Sequence, residues 1–172
     1  MTTVPGSPLH QELYDYWMAK RADREMPARA DIEPAEIKKL LPHLLLTDVL
    51  ESGTRFRYRL VGTAITETFG GNISGHFIEE VMTGKYLEFI DGIYRDIVRH
   101  RRPIYSESSY HTGPTVGMTA QRLMLPLSAD GSTVDMVVSL QTMSFASPVP
   151  ATTIRLAQER NEEISHLSRL LD

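Results

Sequence analysis

The chain has 172 residues, 41% hydrophobic and 23% charged, with a net charge of -4 and no cysteine. Its size suits one domain with a core of its own, and its balance carries no signature of disorder. Without cysteine there are no disulfides, thiol nucleophiles, cysteine zinc sites or iron–sulfur clusters, and the acidic total argues against nucleic acid or an anionic membrane as partner. The opening MTTVPGSPLHQ has neither a basic start nor an apolar stretch. No run approaches the ~20 apolar residues of a membrane helix. The expectation is a cytoplasmic protein with no membrane insertion.

Ser7 and Pro8 suit the cap and first position of a helix, which Leu9, Leu13, Tyr16 and Trp17 carry as one stripe to about Arg21. The connection MPARADIEP follows, then a short predicted helix from Pro34 to Leu41, closed by Pro42. From His43 the period changes to two. His43–Glu51 and Arg55–Val61 read as a hairpin around Ser52-Gly53-Thr54, with Phe56, Tyr58 and Leu60 on one face and Arg55, Arg57 and Arg59 on the other. A short helix from Thr63 stops at Phe69-Gly70-Gly71, and an irregular helical turn spans residues 72–80. Thr83 opens a longer helix whose Tyr86, Phe89, Ile90, Ile93 and Ile97 share a face, with Gly92 in its middle. Three strands follow, Pro103–His111, Met118–Ser128 and Val134–Ser144, the last two joined through the hairpin signal Asp130-Gly131. After Pro148 and Pro150 a last helix is predicted from about Thr152 to Leu171.

Strands grouped at both ends of a helical middle do not match a doubly wound parallel fold. They fit an α+β fold: a five-stranded antiparallel sheet with helices over one face and flanking helices at both termini. The expected organisation is a single domain over 1–172, with an N-terminal helical extension (1–42), a core (43–145) and a C-terminal helix (150–172).

Particular residues carry a resemblance. Leu13, Tyr16-Trp17, Arg21, Arg24, Pro27-Ala28-Arg29, Asp31-Ile32, Pro34, Ile37 and Leu41-Pro42 open it. The run from Phe56 to Thr63, then Phe69-Gly70, Gly75, and Leu125-Pro126-Leu127 ahead of Asp130-Gly131, continue it. Over about residues 9 to 145 the chain resembles a family of small stand-alone PAS-type domains common in alphaproteobacteria. The resemblance implies the PAS fold. The family's members are mostly stand-alone domains of unassigned role, and the resemblance supplies no catalytic residue to transfer.

Three arginines on one strand face, stepping ~7 Å every two residues, form a candidate anion contact: Arg55, Arg57 and Arg59. The competing reading is a solvated face paired with acidic neighbours such as Asp48. Arg21, Arg24, Arg29 and Asp31 read as a structural latch on the connection. No histidine pair has metal spacing, so no metal or cofactor is expected; haem would need a lone His76 or His100, and no flavin motif stands out. Glu79-Glu80 and Glu162-Glu163 are adjacent on helices and point ~100° apart, unsuited to sharing a proton. The expected ligand space lies between the long helix and the sheet, lined by Tyr58, Tyr86, Phe89, Ile90, Ile93, Leu125 and Met136.

Together these observations point to a non-catalytic bacterial signalling module that binds a partner protein in trans, with or without a small apolar ligand. The rival is an isomerase- or lyase-type enzyme in the same cavity. Its candidate interior groups are Tyr58 and Tyr110, with Asp135 out of phase. A purely structural dimer is the third reading. A homodimer is expected from the terminal helices, through the Trp17 stripe and through Ile154, Ile164, Leu167 and Leu171.

Overall fold

The computed structural model describes residues 2–112, 115–145 and 164–171, the backbone alone at 110–112, 115–116 and 164–166. Helix α1 (Pro8–Arg21) precedes the hairpin of β1 (Leu44–Leu50) and β2 (Arg55–Val61). Helices α2 (Thr63–Phe69), α3 (Ile78–Val81) and α4 (Gly84–His100) come next. Then follow β3 (Ile104–Thr112), β4 (Thr115–Leu127), β5 (Met136–Phe145) and β6 (Ile164–Leu170). All strands join one antiparallel sheet in the order β2-β1-β5-β4-β3-β6. The first five are the strands read from the sequence.

Strand alternation assigns the faces. Tyr86, Ile90 and Tyr94 of α4 meet Leu45, Tyr58, Arg122, Met124, Ser139 and Gln141 of the sheet. Leu123, Leu125 and Leu127 of β4, with Met136, Val138 and Leu140 of β5, therefore point the other way, and all are buried. Helix α1 covers that second face. Its Trp17 is 2% exposed, and the indole Nε1 donates to the Pro126 carbonyl at 2.9 Å. The bond forms where β4 has run past the end of β3, which stops with Ile104 opposite Met124. Nearby, Ser128 N–H donates to the Pro27 carbonyl at 3.0 Å. The helix and its connection thus satisfy backbone that the sheet leaves open.

Four expectations are corrected. The stripe of α1 packs on its own sheet, so Trp17 is not available to a dimer interface. The arginines of β2 leave room for it, since β1 and β5 separate that edge strand from β4. The helix predicted for residues 34–41 is replaced by two 3-10 turns, Pro34–Glu36 and Leu41–His43, because the segment bounded by Pro34 and Pro42 is too short for an α-helix to nucleate. Leu60 is 45% exposed rather than buried with Phe56 and Tyr58. The β1–β2 register shifts between Leu46 and Thr47, whose partners are Leu60 and Tyr58. The extra residue in β2 is a bulge, which reverses the phase of every side chain beyond it. Finally, Ile164–Leu170 is a strand, not the end of a helix. The spacing of Ile164, Leu167 and Leu171 mimics a helix, but the outer edge of β3 offers backbone partners from Tyr110 to Ile104 and pairing prevails. The rest of that predicted helix, including Ile154, lies outside the described residues.

Gly62 shows why two stretches of the resemblance occur together. A Cβ there would meet the carbonyl oxygens of Pro42 at 2.3 Å and Leu41 at 2.5 Å. Its N–H donates to the Leu44 carbonyl at 2.7 Å. The Leu41-Pro42 turn and the start of α2 can touch only through a bare backbone. Gly92, inside α4, has nothing within 4 Å of such a Cβ. Chemical denaturation should therefore show opposite signs. Gly62→Ala should lose about 1–3 kcal/mol or more through overpacking, whereas Gly92→Ala should gain about 0.5–1 kcal/mol from helix propensity.

His10, on the inner face of α1, is fully buried, its ring edge-on to Tyr105 with centroids 5.9 Å apart. Ser7 N–H can only donate, and it lies 3.0 Å from Nδ1, so the imidazole is neutral with its proton on Nε2, facing the Gln121 carbonyl at 3.4 Å. Burial holds its pKa below the ordinary 6.5. The unfolded chain therefore takes up this proton first, and the stability present above about pH 6.5 is lost as the pH falls below it. Unfolding free energy measured from about pH 7.5 to about pH 5 should decline, and His10→Gln should flatten part of that slope.

Candidate functional site

A cavity lies between the helices and the sheet. Its walls are Phe69 at the end of α2, Ile73, Met82, and Tyr86, Ile90 and Tyr94 of α4. Its floor is Leu45, Tyr58, Arg122, Met124, Ser139 and Gln141. The free volume at its centre is about 20 Å³, room for one water molecule.

The floor is markedly polar for a sheet under a helix. Arg122 is 4% exposed; its Nη1 donates to Ser108 Oγ at 2.9 Å and its Nη2 to the Tyr86 hydroxyl at 2.7 Å. Gln141 stands directly opposite Arg122 across the β4–β5 ladder, and Ser139 opposite Met124. Gln141 Nε2, Ser139 Oγ and, beyond β4 on β3, Ser106 Oγ are buried and make no hydrogen bond among the described residues. Tyr94 shares a 2.9 Å hydrogen bond with Thr47 Oγ1 and stacks on Phe56 with centroids 4.8 Å apart. Burial raises its pKa to about 12, with the Thr47 and Ser139 hydroxyls opposing; Ser139 comes near the phenol without reaching hydrogen-bond geometry. Burial likewise pushes Tyr58 well above the usual tyrosine range. Both phenols stay neutral across ordinary pH. Gln141 also borders a surface groove of about 230 Å³ formed with His43, Glu67, Thr68, Met143 and Phe145.

Of the residues expected around this space, Tyr58, Tyr86 and Ile90 line it. Ile93 is buried and Phe89 half-buried, both off its wall. Leu125 and Met136 are corrected to the α1 face, because Met124 and Ser139 fix the cavity-facing phase of their strands. Sequence reasoning overlooked Tyr94, Arg122, Ser139 and Gln141. The available signal was the polar phase of β4 and β5, where Arg122, Ser139 and Gln141 interrupt otherwise apolar strands.

The other candidates sit elsewhere. Arg57 Nη2 and Arg59 Nε donate to the two oxygens of buried Asp48 at 2.9 and 2.7 Å. Arg55 pairs with Glu79 at 2.8 Å and Glu51 at 3.2 Å and lies over the Phe77 ring. The three guanidiniums are thus engaged by carboxylates of their own chain, as the acidic-neighbour reading has it. Asp31 accepts from Ala28 N–H at 2.7 Å and pairs with Arg24 at 2.8 Å, which makes the latch. His76 is exposed beside Glu80 and His100 is exposed at the end of α4; neither borders the cavity. Asp135 precedes β5 and accepts from Ala129 N–H at 2.6 Å. The side chain of Tyr110 lies outside those described. Among the described residues no group of three or more His, Asp or Glu is arranged for a metal ion, and no helix is long and apolar enough to cross a membrane.

The Tyr94–Thr47 pair beneath α4 is open to a direct check. Tyr94→Phe strands a buried hydroxyl and should cost about 1–3 kcal/mol, while adding Thr47→Val should recover much of the loss, since removing both partners is nearly neutral. Equilibrium denaturation of the two single variants and the double variant measures the difference.

Comparison with known proteins places this architecture. Among solved structures, the PAS domain of BvgS from Bordetella pertussis is 13% identical with a TM-score of 0.45, the match covering 74% of this chain and 96% of that one. A fungal LOV domain photoreceptor is 19% identical with a TM-score of 0.40, covering 58% and 72%. A transcriptional regulator from Alicyclobacillus acidocaldarius is 14% identical with a TM-score of 0.31, covering 73% and 62%. No curated protein matches the chain. The family model described as PAS domain matches residues 6–141, from just before α1 to Gln141 in β5, and the chain belongs to that family.

Proposed function

We propose that this PAS domain is a sensory signalling module that works by stoichiometric binding, without turnover. A small molecule occupies the cavity under α4, and the signal passes to a protein partner in trans. The observation that carries this reading is the pair of buried polar groups on the cavity floor, Ser139 Oγ and Gln141 Nε2, that find no partner among the described residues. Buried polar groups in folded proteins are nearly always hydrogen-bonded, and each one left unmade costs about 1–3 kcal/mol. A guest that supplies the missing partners recovers that cost.

Occupancy also explains how a signal arises. Ile73 and Met82, which flank α3, and α4 itself form the cavity wall, so a guest bears directly on the helical layer. A ligand shifts an equilibrium between helix positions by its difference in affinity for them. Catalysis finds little support in the same wall. Among the described residues it has no carboxylate or imidazole, and Tyr58 and Tyr94 are held neutral by burial. The polar floor modifies the expectation of an apolar guest: the occupant has an apolar part for Phe69, Ile73 and Met82 and a polar part for the sheet.

A thermal-shift screen of small molecules on the wild type and on Ser139→Met, which fills the void, tests the proposal. Compounds at a hundredfold excess over Kd should stabilise the wild type by about 2.7 kcal/mol and leave the filled variant unmoved. Equal stabilisation of both proteins, or a turnover that Tyr58→Phe abolishes, would contradict it.

A further inference from the structure

Three observations about the cavity floor point to the charge of its occupant. First, Arg122 is a permanent cation within it, since a guanidinium does not deprotonate in proteins. Second, antiparallel pairing sets Gln141 directly across from Arg122, at the close spacing of cross-strand neighbours, and sets Ser139 two residues before it on the same face. Third, Gln141 Nε2 and Ser139 Oγ are both buried without a hydrogen bond among the described residues, at 7% and 3% residue exposure. An amide N–H donates only, and a hydroxyl can donate as well. The floor therefore offers hydrogen-bond donors beside a positive charge. In a low-dielectric pocket that charge favours an anion and repels a cation far more strongly than it would in water.

We infer that the cavity of this domain is a site for a small carboxylate, held through Gln141, Ser139 and the charge of Arg122. The inference rests on the binding reading above and adds the chemical class of the ligand. A carboxylate has two acceptor oxygens for the two free donors, and hydrogen bonds to an ionised acceptor are roughly twice as strong as neutral ones. The apolar remainder faces Phe69, Ile73 and Met82. The free volume holds a single water molecule, so even a small carboxylate enters only as the helical layer over the sheet moves outward. The arginines of β2 take no part, because Asp48, Glu51 and Glu79 engage them.

Calorimetric titration of the full chain with sodium acetate and with acetamide, at ionic strength fixed by sodium chloride, tests this. Acetate should bind at one per chain, with acetamide at least about tenfold weaker. Gln141→Leu should weaken acetate by about tenfold or more, and Arg57→Ala should leave it unchanged. If Gln141→Leu does not fold, Ser139→Ala supplies the same comparison with a smaller loss. Acetate and acetamide binding alike, or acetate binding lost in Arg57→Ala and retained in Gln141→Leu, overturns the carboxylate inference. Binding of acetamide alone to the cavity also overturns it but leaves the binding reading standing. If neither probe binds and no compound in the screen distinguishes wild type from Ser139→Met, both fail together.

Discussion

A guanidinium keeps its charge when buried, so a sheet that encloses Arg122 must gather polar groups around it. The surroundings show that demand being met. Ser108 on the neighbouring strand and Tyr86 on the covering helix accept its N–H groups, and Gln141 stands across the ladder from it. The bond to Tyr86 ties α4 to β4, and the Tyr94–Thr47 bond ties the same helix to β1. Between these two ties the helix and sheet do not close completely, and the cavity is what remains. Its polar floor and its apolar wall follow from one arrangement.

The second face of the sheet frees the first for this purpose. Leucines and valines of β4 and β5 supply the main apolar core beneath α1, where Trp17 reaches over to the Pro126 carbonyl. A large aromatic that also satisfies a backbone acceptor anchors α1 more definitely than apolar contact alone. With that core on the α1 side, the α4 side tolerates serines, a glutamine and an arginine where one would expect more leucine. A sheet covered on both sides thus carries an apolar core behind and the polar-floored cavity in front.

Elements specified by nearby residues were legible in the sequence. The stripe of α1, the long face of α4, the Asp130-Gly131 hairpin and the Arg–Phe–Arg–Tyr–Arg alternation of β2 all depend on neighbours within a few positions. Features decided by distant partners were not. Leu60 turns outward because of a bulge that exists only in the pairing with β1, and Ile164–Leu170 is a strand only because β3 has an open edge. The site shows the same division. Alternation told that Leu125 and Met124 point to opposite faces, but with both faces covered it could not tell which one held the cavity. Choosing the apolar phase led to Leu125 and Met136. The polar residues of the other phase, Arg122, Ser139 and Gln141, were the better guide to the cavity, since they are the polar groups that line its floor.

The account stands on Gln141 being a ligand-facing donor and not merely an awkward core residue. Nuclear magnetic resonance reads this directly, because each side-chain amide gives its own pair of proton–nitrogen signals. In a titration of the labelled full chain with acetate, the Gln141 amide pair should move saturably, together with backbone signals of α4 and of Arg122. Shifts confined to the exposed arginines Arg55, Arg57 and Arg59, with the Gln141 pair unmoved, would contradict the account.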